Sequence, residues 1–135
     1  MTLPVITFQY LAVLALIFSA LALIVVFMRQ KRRVPFGDGG HDDLMRAVRA
    51  HANFAEWVPM TVLVVAALEA SGAPGSQIHA LLAALVIARV VHPLAFALPI
   101  RGRAYRAARI VGALTTWFVL TIAAVLVLIR IASPG

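Results

Sequence analysis

Arg49, Asn53 and Glu56 recur at i, i+4 and i+7 within RAHANFAEWVP, residues 49–59. That spacing puts all three on one stripe of a helix. The surrounding residues are apolar enough to lie in a membrane, where ionisable groups are costly, need partners and by default mark a functional site. Arg89 and His92 stand at i, i+3 in another apolar segment. Guanidinium groups near a carboxylate suit a polar, anionic ligand, since paired N–H donors match the geometry of a carboxylate.

The elements that must position these groups are membrane spans. The chain has 135 residues, 63% of them hydrophobic and 13% charged, with a mean hydropathy of +0.99. Those values belong to several spanning segments rather than to a soluble domain. One domain, residues 1–135, is expected: an all-α integral membrane four-helix bundle. The first span covers about residues 3–28 and is closed by Arg29-Gln30-Lys31-Arg32-Arg33. Its charge follows the apolar run, so it reads as a retained anchor and not as a cleaved signal peptide. Residues 34–43 carry the Gly, Pro and Asp of a surface turn, and Asp42 or Asp43 is expected to cap the next helix.

The second span, about residues 44–71, holds most of the polar residues in its first half, which must therefore face protein or water-filled space. Ser71-Gly72-Ala73-Pro74-Gly75 is a helix stop and turn. A third span runs from about 76 to 98, where Pro99 ends it. RGRAYRAAR, residues 101–109, reads as a basic connector. The fourth span, about 110–130, is uncharged up to Arg130. Gly112, Thr115 and Thr116 give it a small face for close packing, and Pro59 and Pro93 are expected to disturb their helices.

The first and third connectors hold eight of the twelve Lys and Arg residues. The positive-inside rule makes both connectors cytoplasmic and sends both termini outward. The net charge of +7 is then a matter of topology and lipid headgroups, and no nucleic-acid partner is inferred. Eleven arginines to one lysine hint at a GC-rich bacterial source, hence the inner membrane. Cysteine is absent, which removes thiolate ligands and a cysteine nucleophile.

Depth along the helices brings the polar stripes together. At a rise of roughly 1.5 Å per residue, Arg49 lies about 8 Å inside the cytoplasmic end of the second span, Asn53 about 14 Å and Glu56 about 18 Å. Counted back along the antiparallel third span, His92 lies at about 9 Å and Arg89 at about 14 Å. Arg89 can then reach Asn53 or Glu56 in one cytoplasm-facing pocket. Each part also has a plainer reading. Glu56 and Arg89 could be an ion pair that joins helices. His51, two positions from Arg49, points to another face. His41-Asp42-Asp43 is a solvated turn, and no metal is expected. GDGG lacks a phosphate-loop lysine, and the 101–109 run could bind lipid phosphate.

The chain resembles the MAPEG family, the membrane-associated proteins in eicosanoid and glutathione metabolism. RAHANFAEWVP is similar to that family's helix-two signature, and RVVHP, residues 89–93, to its helix-three motif. Arg109-x-x-Gly112 resembles the bacterial branch. The resemblance implies a homotrimer with glutathione, as co-substrate, bound between neighbours near the cytoplasmic face. Arg49, Asn53, Glu56, Arg89 and His92 would line that site. Tyr105 belongs with them, and Arg101 and Arg106 are further candidates in the connector. Arg109 or Arg29, at the rim, would favour the thiolate. Phe96 stands where several relatives have tyrosine, and Ala52 where the prostaglandin-forming relatives carry a second arginine. Both argue against eicosanoid synthesis.

The function expected is a glutathione transferase or peroxidase acting on lipophilic electrophiles or hydroperoxides from the bilayer. A non-catalytic helix bundle that binds lipid or a partner, with its polar residues as assembly contacts, is the alternative. A small proton-linked transporter using Glu56 and His92 ranks third.

Overall fold

The computed structural model describes residues 3–95 and 102–132. Its four helices are α1 (Val5–Arg32), α2 (Asp42–Ala70), α3 (Gly75–Leu94) and α4 (Arg103–Ala132). Each is long and apolar enough to cross a membrane. The chain is therefore an all-α integral membrane protein, and the described residues contain no strand.

The helix ends follow from local chemistry. Arg29, Lys31 and Arg32 lie inside the last turn of α1, where positive charge complements the helix dipole. Arg33 then takes a left-handed φ of 57°. Its N–H reaches Gln30 O at 3.2 Å, and that of Val34 reaches Arg29 O at 3.0 Å, the paired bonds of a Schellman stop. Gly72, at φ 84°, closes α2 in the same way, through Gly72 N to Glu69 O at 2.9 Å and Ala73 N to Leu68 O at 3.3 Å.

Two expectations need correction. His41, not Asp42 or Asp43, is the N-cap of α2, and it makes no side-chain capping bond. Asp42 and Asp43 fall in the first turn, and Asp43 is held instead by Arg32 across the loop at 2.6 Å. α3 is described as helix to Leu94, and residues 96–98 of the expected third span lie outside the described residues. Pro93 sits in its final turn, while Pro99 lies outside the described residues. Second, residues 103–109 are not an irregular connector but the first two turns of α4, because their Ala and Arg residues favour helix. Pro59 lies inside α2, which continues as one helix to Ala70.

The helices run up and down in turn. Ile6 and Thr7 at the start of α1 meet Glu69 at the end of α2. At the same end, Arg130 of α4 donates to Ser71 O at 3.3 Å. α1 and α4 each pack against α2 and α3 but do not touch one another. The core between them is small, built from residues such as Leu14, Phe54, Val58, Val65, Leu82, Leu85 and Val119. Large apolar side chains stay exposed along α1 and α4, among them Leu16, Phe27, Leu128 and Ile131, as lipid- or partner-facing helices require.

Candidate functional site

Arg89 is the largest fully buried side chain among the described residues, at 2% exposure. A guanidinium has only donors, so its environment must supply acceptors. Nη1 donates to Asn53 Oδ1 at 3.0 Å, and Nη2 donates to Gly112 O at 2.9 Å. These bonds tie α3 to α2 and α4. The contact with α4 depends on Gly112 having no side chain. A Cβ there would stand 2.8 Å from His92 Cβ and 3.2 Å from Ala88 O. Thr116 Oγ1 donates to the same Gly112 carbonyl at 3.0 Å, so the expected small face of α4 is where it meets α3.

Beside this junction is a polar cavity of about 280 Å³, lined by Asn53, His92, Tyr105, Arg106, Arg109, Ile110 and Ala113. The helical start of α4 determines its chemistry. Tyr105 and Arg109 are one turn apart, and Arg109 Nη1 donates to Tyr105 Oη at 3.1 Å, with the guanidinium carbon 5.6 Å from the ring centroid. His92 is 4% exposed and forms the wall from α3. Tyr105, Arg106 and Arg109 supply donors, and the arginines positive charge, so an oxyanion is the group that fits best.

Arg89 and Asn53 meet as depth had indicated, and His92, Tyr105 and Arg109 join them. Glu56 does not. It is exposed on the outer side of α2, as is Arg49, and no salt bridge joins Glu56 to Arg89 among the described residues. Arg29 is also apart, donating from α1 to Pro35 O at 2.8 Å. It lines a separate recess with Arg33 and Val34. His51 faces α1 and stacks on Phe18 with ring centroids 4.6 Å apart. Phe96 and Arg101 lie outside the described residues. A larger cavity of about 510 Å³ between α1, α2 and α3 is mostly apolar, with Asp43, Arg46 and Arg89 as its charged lining.

Sequence reasoning passed over Glu69. Its carboxylate, 9% exposed, accepts from Ile6 N at 2.8 Å, Thr7 N at 2.8 Å and Thr7 Oγ1 at 2.6 Å. The signal was an acidic residue in the last turn of an apolar span, where the helix's own dipole disfavours it. Such a residue needs donors from elsewhere, and the open N–H groups of α1 provide them. Near the same end, Tyr10 Oη and His79 Nδ1 are 3.2 Å apart.

Fold and site together define a four-span membrane protein with a donor-rich cavity at its basic end. The model of the MAPEG family matches residues 7–129, and the chain belongs to that family. It is also similar to the inner membrane protein YecN of Escherichia coli, in strains K12 and CFT073 alike. Each is 31% identical over 87 residues, 64% of this chain and 66% of the relative. The match thus spans just under two thirds of the length of those relatives.

Proposed function

We propose that the chain binds glutathione at a site shared between neighbouring copies and presents its thiol to a lipophilic electrophile or hydroperoxide. The observation that carries this reading is the outward stripe of α2. Arg49 and Glu56 are exposed on the single chain, although they lie on a membrane-spanning helix. Charges left against lipid are costly, so a second copy, with a ligand between, is the natural cover. Asn53, one turn along α2 from Arg49 but turned inward, opens into the cavity of His92, Tyr105 and Arg109, which makes the two regions continuous.

Glutathione carries two carboxylates and an ammonium, for which the arginines and Glu56 are suitable partners. Its contribution is the thiol nucleophile. The chain's contribution is to hold that thiol beside a guanidinium, which favours the thiolate over a free thiol of pKa ~8.5. Arg109, already in the cavity wall, is the first candidate, and Arg29 of a neighbour the second. Family membership supports a homotrimer. The name of the E. coli relative supports the bacterial inner membrane. The orientation proposed, both termini outside and the basic, site-bearing end cytoplasmic, rests on the positive-inside rule. Lipophilic substrates would arrive from the bilayer.

Calorimetry on detergent-purified protein tests the reading. Saturable glutathione binding is expected, lost in Arg49→Ala and in Glu56→Ala while the oligomer survives. Unchanged affinity in both variants would overturn it. One observation favours a second reading, a non-catalytic bundle: Arg89 links three helices of one chain, as an assembly residue would. That reading predicts that Glu56→Gln breaks the oligomer and leaves no ligand site to lose.

A further inference from the structure

Arg89 does not open onto the polar cavity, whose lining it is not part of, yet it touches a residue that does. Its Nη1 donates to Asn53 Oδ1 at 3.0 Å. A side-chain amide has one acceptor oxygen and one donor nitrogen. Because a guanidinium can only donate, the oxygen of Asn53 is committed to Arg89, and the Nδ2 donor pair is turned away from it. Arg89 is itself fixed on its other side by Gly112 O at 2.9 Å. That carbonyl is held in place by Thr116 and by the close approach of α4 to α3 that only glycine allows.

We infer that Arg89 is a positioning residue, which fixes the Asn53 amide so that its NH2 faces the cavity as a hydrogen-bond donor for an oxygen acceptor of the bound ligand. Arg89 itself makes no contact with the ligand. The inference deepens the proposed function and rests on it for the ligand, but the orientation of the amide can be tested without any ligand. Asn53 then acts with Tyr105, Arg106 and Arg109 to make the wall accept an oxyanion or carbonyl. The site distinguishes this role from simple helix joining. An aspartate at position 53 would still accept from Arg89, now as an ion pair, but would turn a second acceptor oxygen to the cavity in place of the NH2 donor.

Asn53 is the only asparagine in the chain, so selective [15N]asparagine labelling gives a single side-chain NH2 signal. Spectra of the labelled protein in micelles are compared for wild type, Arg89→Leu and Arg89→Lys, the last retaining charge if the leucine variant fails to fold. Glutathione affinity is then measured for these and for Asn53→Asp. The expected result has four parts. The NH2 signal differs between wild type and the Arg89 variants without ligand. It moves on adding glutathione to wild type. Asn53→Asp binds at least tenfold more weakly while melting no lower than wild type. Arg89→Leu binds more weakly by a similar factor, and the double variant is no worse than Asn53→Asp alone. Wild-type affinity in Asn53→Asp, or an NH2 signal indifferent to Arg89, would overturn the inference. If wild type binds no glutathione, the proposed function fails. The ligand-free comparison still decides whether Arg89 orients the amide.

Discussion

Glu69 holds the first turn of α1 through Thr7, taking both its backbone N–H at 2.8 Å and its hydroxyl at 2.6 Å on one carboxylate oxygen. The other oxygen takes the N–H of Ile6 at 2.8 Å. An anionic group here meets the positive end of the α1 dipole and satisfies donors that the helix cannot pair internally. No side-chain bond caps α1 from its own N-cap residue, Pro4, so α2 supplies the cap.

Glu69→Gln keeps an acceptor but loses the charge, and is expected to destabilise the protein by about 1.5–3 kcal/mol, the range for hydrogen bonds to charged groups. Thr7→Val removes only the hydroxyl and should cost less. Thermal unfolding in detergent of both variants and their combination measures the coupling. Strictly additive losses would show that the two residues act independently.

Gly112→Ala should also destabilise, for a steric reason. The added Cβ would lie 2.8 Å from His92 Cβ, so α4 must move off α3 and stretch the Arg89 bond to the Gly112 carbonyl. Overpacking of this kind costs about 1–3 kcal/mol. Unfolding midpoints give the stability change, and glutathione affinity should fall in parallel. A variant as stable as wild type would mean that the two helices are less tightly apposed.

Arg109→Ala should raise the pKa of the bound thiol towards the free value of ~8.5, because the adjacent positive charge that favours the thiolate is gone. Thiolate formation followed by ultraviolet absorbance against pH should therefore shift to higher pH, and Arg109→Lys should shift it less. An unchanged profile in Arg109→Ala would transfer the role to Arg29.

Asp43→Asn is expected to leave the melting temperature unchanged within error. The Arg32–Asp43 pair is short, at 2.6 Å, but its side chains are 40% and 48% exposed, and solvated surface pairs contribute little. A large, salt-sensitive loss of stability would show that the loop between α1 and α2 depends on this contact.

The fold was legible because the spans are long and apolar, the second mainly in its later half, and because Gly72 and the Arg29–Arg33 run stop helices by known chemistry. The meeting of Arg89 with Asn53 was legible from rise per residue alone. Three features were not. The first turns of α4 carry so much charge that the run reads as a loop, although Ala and Arg favour helix. Helical depth fixes level but not the direction a side chain takes around the axis. Glu56 and Asn53 are therefore near in height, yet only Asn53 turns inward. Glu69 was hidden because two of its three bonds come from backbone N–H groups of a segment 62 to 63 residues away, which leave no mark in the side-chain pattern.

Native mass spectrometry of the detergent-solubilised protein, with and without glutathione, tests most directly whether neighbouring copies build the site. Trimers carrying one glutathione per subunit are expected for wild type, and trimers without ligand for Arg49→Ala. Monomers alone, or wild-type trimers that stay empty at millimolar glutathione, would contradict it.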